Sequence, residues 1–171
     1  MNLPVMPFGL SSFTLVQDWV RALAAAIAAG WRVEHKSDGT HHWNWTDITY
    51  NAGHFKGDAS TWGVDSDDVV TYSYAVLGEV MVLRFRILNT DVGAGNQQLW
   101  LDLPAGYAIA GWSFGVLSYS DAGGANDIGV TVAQPDDRYV RLYTRTVANW
   151  TNTTADDTDV QGTIVLQVTK D

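Results

Sequence analysis

Residues 80–88 read VMVLRFRIL, in which Met81, Leu83, Phe85 and Ile87 alternate with Val82, Arg84 and Arg86. A period of two sends successive side chains to opposite faces of an extended chain, so this stretch predicts a β-strand with one face on a core and the other in water. The same alternation recurs outward from it. Leu99, Leu101 and Leu103 alternate with Gln98, Trp100 and Asp102, and Val140 and Leu142 with Tyr139, Arg141 and Tyr143. Ile128, Val130 and Val132 form a further set, and Ile164, Leu166 and Val168 another. In each strand the apolar set is expected to face the core.

Turn-forming residues punctuate these strands at Leu77-Gly78, Gly93-Ala94-Gly95, Pro104-Ala105-Gly106, Ala122-Gly123-Gly124 and Pro135-Asp136-Asp137. About eight to ten short strands at such spacing predict a mainly β fold, an antiparallel jelly-roll-like sandwich over residues 46–171, with a closed barrel as the alternative. The Thr-, Asn- and Asp-rich stretch 149–159 reads as an exposed loop.

Upstream the pattern changes to a helical one. Val16, Val20, Leu23 and Ile27 recur at spacings of four, three and four between Ser12, a candidate N-cap, and Gly30, a candidate stop. This predicts one N-terminal α-helix within an arm, helix and connector spanning residues 1–45. Val16, Trp19, Val20, Leu23 and Ile27 are the candidate oligomer or attachment interface. Two heptads are short for a free-standing coiled coil, so the seam serves either self-association or packing on the β-domain. The helical stretch contains Asp18 and Arg21 and is too short to read as a membrane span.

Composition excludes several function classes. With 10 Lys and Arg against 19 Asp and Glu, the net charge of −9 opposes binding to a phosphate backbone, so nucleic acid is not an expected partner. The absence of cysteine removes disulfides, thiolate metal sites and cysteine nucleophiles.

No motif for catalysis stands out: the chain has no Gly-x-Ser-x-Gly, no His-Glu-x-x-His and no phosphate loop. A glycosidase needs a carboxylate pair rather than a motif, but Glu34 and Glu79 are the only glutamates, and most aspartates fall in turns. The chain is therefore expected not to be an enzyme and to need no cofactor. His35, His41, His42 and His54 cluster in sequence, yet adjacent His41 and His42 diverge on extended backbone, which argues against a metal site within one chain. Asp65-Ser66-Asp67-Asp68 lacks the glycine and the distal glutamate of an EF-hand loop. Asp156, Asp157 and Asp159 read likewise as solvated acids.

Eight Trp, seven Tyr and five Phe suffice for both a core and a binding face. Trp100 and Tyr143 are the candidate ligand-binding aromatics, with cross-strand packing as the structural alternative. Alternation leaves Trp112, Phe114 and Tyr119 open between core and interface.

The order of features resembles that of small bacteriophage virion proteins of the fibre, spike and decoration type. The stretches that carry the resemblance are FTLVQDWVRALAAAIAAGWRVEHKSDGTH at 13–41, WTDITYNAGHF at 45–55, TWGVDSDDVVTYSYAVLGEVMVLRFRI at 61–87 and LWLDLPAGY at 99–107. The resemblance implies a homotrimer in the virion, assembled in the host cytoplasm. Its N-terminal part would contact sister chains and other virion proteins, its β-rich head would face outward, and it would not insert into a membrane. A carbohydrate-binding module recognising host surface glycans is the alternative.

Overall fold

The computed structural model describes residues 44–170. The predicted N-terminal helix, with Val16, Trp19, Val20, Leu23 and Ile27, lies outside the described residues, as do His35, His41 and His42. The chain from Asn44 onward forms one compact unit.

That unit is mainly β, as the alternation predicts. Its strands are β1 (Thr46–Asp47), β2 (Phe55–Gly57), β3 (Trp62–Gly63), β4 (Val69–Leu77), β5 (Val80–Val92), β6 (Leu99–Asp102), β7 (Tyr107–Ile109), β8 (Ser113–Ser120), β9 (Asp127–Ala133), β10 (Tyr139–Tyr143) and β11 (Thr153–Lys170). All the pairings are antiparallel. They trace one curled sheet in the order β1-β4-β5-β11-β8-β9-β10-β6-β2, with β3 added to β5 and β7 to β11.

The curl brings the two ends of this path together. Phe55 on β2 packs against Tyr72 on β4 with ring centroids 5.7 Å apart, and against Trp62 at 5.6 Å. The Tyr72 hydroxyl donates to the carbonyl of Asp102 on β6. Burial, with the charge of Asp102 second, pushes the Tyr72 phenol far above its ordinary value. It therefore stays protonated and keeps donating across the closure.

β5 and β11 form the spine. Met81, Leu83, Phe85 and Ile87 are fully buried, as their alternation predicts. Beyond them the parity changes, because Asn89 adopts a left-handed backbone (φ 58) and the register with β11 gains a residue between Ile87 and Thr90. This bulge turns Thr90 and Val92 inward. Thr90 Oγ1 accepts from Trp62 Nε1 at 3.0 Å and donates to the Thr158 carbonyl at 2.9 Å, so a polar pair is satisfied within the core.

The stretch 149–159 departs from its expected form as a loop. Trp150 is buried, and Thr153 onward is the first part of β11. Its acids and hydroxyls are used by the sheet: Asp157 Oδ1 accepts from Thr153 Oγ1 at 2.6 Å and Asp159 Oδ1 from the Asn89 amide at 2.8 Å. The predicted turns do fall where the strands reverse. Gly78, Gly95, Gly106, Ala122, Gly123 and Asp136 all hold positive φ.

Candidate protein-interaction face

β9 is inverted relative to its expected orientation. Gly129, Thr131 and Ala133 point inward and are buried, while Ile128 is exposed and Val130 and Val132 half-buried on the outer face. The cause is space. A side chain at position 129 would meet the Tyr143 carbonyl oxygen at 2.2 Å and Leu117 and Tyr119 at 3.2 Å, so only glycine fits the inner side there. With the small residues consumed inside, the β-branched ones turn outward.

β8 does the same beside it. Leu117 and Tyr119 face the core, and Phe114 and Val116 face outward. The register sets Phe114 opposite Val132, Val116 opposite Val130 and Ser118 opposite Ile128. Relative exposures of 68% for Phe114, 66% for Val116, 63% for Ile128 and 59% for Trp112 mark a cluster of large apolar side chains in water. The Trp112 and Phe114 rings lie nearly parallel, 6.0 Å apart at 9°. Of the aromatics that alternation left open, Tyr119 is core, and Trp112 and Phe114 belong to this face.

Across β10, β6 and β2 the same outer face becomes polar. Arg141 pairs with Val132 on one side and Trp100 on the other, and Lys56 lies beyond Trp100. Charges here are matched: Lys56 Nζ with Asp102 at 2.6 Å, Arg141 with Asp137 at 2.8 Å, and Arg145 with Asp127 at 3.7 Å. The apolar cluster is thus bordered on its β10 side by a polar, charge-paired flank, as apolar patches at protein–protein interfaces often are.

Trp100 and Tyr143 are both half-buried on this polar flank. Trp100 stacks on Tyr139 with centroids 4.6 Å apart at 19°, and its Nε1 donates to Gln98 Oε1 at 3.0 Å. One ring face and the polar handle of Trp100 are thus occupied within the sheet. Tyr143 lies opposite Val130. Burial holds its phenol above the usual range, against the favourable charge of Arg141.

The acidic turn at 65–68 closes on itself. The Asp65 amide donates to Asp68 Oδ2 at 2.7 Å, and Ser66 Oγ to Asp67 Oδ1 at 3.3 Å. Burial raises the Asp68 carboxyl, opposed by that backbone bond and reinforced by the charges of Asp65, Asp156 and Asp67. Among the described residues no three His, Asp or Glu side chains are grouped as a metal ion requires. No helix among them is long and apolar enough to cross a membrane. His54 packs its ring against Phe55 and Tyr72 at 6.4 and 6.1 Å.

No protein-family model, curated protein or solved structure matches this chain.

The apolar face is the feature that sequence reading missed. Its signal was the interleaving of Gly115 with Phe114 and Val116, and of Gly129, Thr131 and Ala133 with the β9 valines. That pattern leaves two possible inner faces, and only the neighbour's backbone decides between them.

Proposed function

We propose that this chain is a non-enzymatic bacteriophage virion structural protein, a spike, head fibre or decoration protein. In this reading it assembles as a homotrimer, displays its β-domain at the particle surface, and attaches to sister chains and other virion proteins through residues 1–45, with the β8–β9 face adding to the contact between sister chains. The observation that carries the reading is the exposed apolar face of Trp112, Phe114, Val116 and Ile128, since a monomer in water rarely leaves large apolar side chains clustered on adjacent strands. A jelly-roll-like wrapping belongs to the same proposal. It is supported by β5 and β11, which are long enough to take different partners along their length: β3 joins the far end of β5, and β7 the far end of β11.

The test is the solution mass of the full chain and of a chain beginning at Asn44. The full chain is expected at three times its monomer mass. The shortened chain is expected to keep a cooperative β-sheet melt, because the core cluster among the described residues runs from Phe55 to Val168, and to shift toward monomer. A full chain that stays monomeric at every concentration overturns the proposal.

A second reading, recognition of host surface glycans, is favoured by the parallel, exposed rings of Trp112 and Phe114, which offer a flat surface to the apolar side of a sugar. Binding of the full chain on a glycan array supports it, and a blank array removes it.

A further inference from the structure

The outer face of β4, β5 and β11 carries a second feature, remote in sequence from the apolar cluster. Along β5, Arg84 and Arg86 point outward from alternate positions. The register places Arg84 between Ser73 on β4 and Thr163 on β11, and Arg86 between Thr71 and Gln161. Two guanidinium groups are thus flanked on both sides by hydroxyls and an amide. Strand geometry sets the two arginine Cα atoms about 6.6 Å apart and each flanking strand about 4.8 Å away. Thr71, Arg84, Arg86, Gln161 and Thr163 line an open depression of about 360 Å³ with Phe85 and Gly162.

The charge balance makes this arrangement unusual. In a chain of net charge −9, Lys56, Arg141 and Arg145 each face a carboxylate, whereas among the described residues none pairs with Arg84 or Arg86. Arg84 is held in place by contacts other than a carboxylate of the described residues. Its Nε donates to Ser73 Oγ at 2.6 Å, where Ser73 is fully buried, and its guanidinium lies 4.0 Å over the Trp45 ring. That fixes the plane of the group and leaves its two terminal nitrogens as donors. A held guanidinium and a second, exposed one, neither paired with a carboxylate among the described residues and both beside hydroxyl and amide donors, have the chemistry that recognises an oxyanion.

We propose that this depression binds an anionic oxygen ligand, a phosphate or carboxylate group, between Arg84 and Arg86, with Thr71, Gln161 and Thr163 completing its hydrogen bonds. The site does not depend on the virion reading, and it lies on strands other than those of the apolar face.

The test is a titration of the ¹⁵N-labelled full chain with inorganic phosphate and, separately, with acetate. Each is compared with sodium chloride at the same ionic strength, and the signals followed are the arginine Nε–H groups and the amides of residues 84, 86, 161 and 163. Saturable shifts at these groups with either anion support the site, and the anion that saturates identifies the ligand as phosphate or carboxylate. Arg86 is exposed, so Arg86→Gln keeps the fold, and it is expected to weaken binding by about tenfold or more. Shifts that are linear and equal to those from chloride overturn the proposal, as does an affinity unchanged in Arg86→Gln.

Discussion

Asn96→Ala is expected to destabilise the β-domain by about 4 kcal/mol, and to lower its melting temperature by about 15 °C. Asn96 is fully buried in the β5–β6 connection, and its side chain uses both ends. Oδ1 accepts from the amides of Ala59 at 3.0 Å and Ser60 at 2.8 Å, while Nδ2 donates to the carbonyls of Thr61 and Gly93, both at 3.1 Å. The Asn96 carbonyl also accepts from the Trp150 amide at 2.8 Å. One side chain therefore ties the β2–β3 connection to the end of β5, and the main chain at the same position ties both to the segment entering β11. Alanine leaves the Ala59 and Ser60 amides and the Gly93 carbonyl without these partners, each costing about 1–3 kcal/mol where water does not reach it, while the Thr61 carbonyl keeps the Gly93 amide at 2.9 Å. Gly57 is part of the same arrangement, because a side chain there would overlap the Asn96 amide at 2.3 Å. Asn96→Asp separates the two halves of the network. It keeps the acceptor but loses both donated bonds and buries a charge, so it is expected to be destabilised at neutral pH and partly restored on acidification, when a protonated carboxyl donates again. Chemical denaturation at two pH values reads this out.

Gly129→Ala has the next largest expected effect, about 3 kcal/mol. The added carbon would lie 2.2 Å from the Tyr143 carbonyl oxygen, a backbone atom of β10 that cannot retreat without opening the β9–β10 ladder. Flexible neighbours give no relief, since Leu117 and Tyr119 close the other sides at 3.2 Å. Val130→Ala, one position along but facing outward, is expected to cost about 1 kcal/mol. Equal losses at the two positions would contradict the inward orientation of Gly129.

These two residues show where the sequence was legible and where it was not. The strand at 80–88 could be read because each of its inward positions holds a large apolar residue, so pattern and packing agree. Its continuation to Val92 could not, because the bulge at Asn89 exchanges the two faces and a strict period of two breaks there. In β9 the period holds but the face is reversed, since the limit at Gly129 comes from a backbone atom of another strand. The start of β11 looks like a loop by composition, and becomes strand because buried Thr153 and Thr158 find partners in the sheet. Asn96 carried no signal at all: a single asparagine after a glycine turn is indistinguishable from a solvated loop residue until three segments converge on it.

The same limit applies to the candidate sites. Trp100 and Tyr143 were conspicuous as aromatics beside charges, and both lie on the outer face. The Trp100 ring, however, is partly used by Tyr139, while the residues left most open to solvent are Phe114, Val116 and Ile128. Apolar residues on a period of two are read as core, which is why an outward-facing apolar strand hides among inward-facing ones.

If the outer face of β8 and β9 is covered by a sister chain, as we propose, light scattering on the full chain and its Phe114→Asp variant reads it out. Phe114 is the most exposed of the cluster, so the substitution leaves the core untouched, and an unchanged melt of the β-domain verifies this. A trimer is expected for the full chain and a shift toward monomer for Phe114→Asp. An assembly of the same mass in both, or a monomer in both, overturns the proposal.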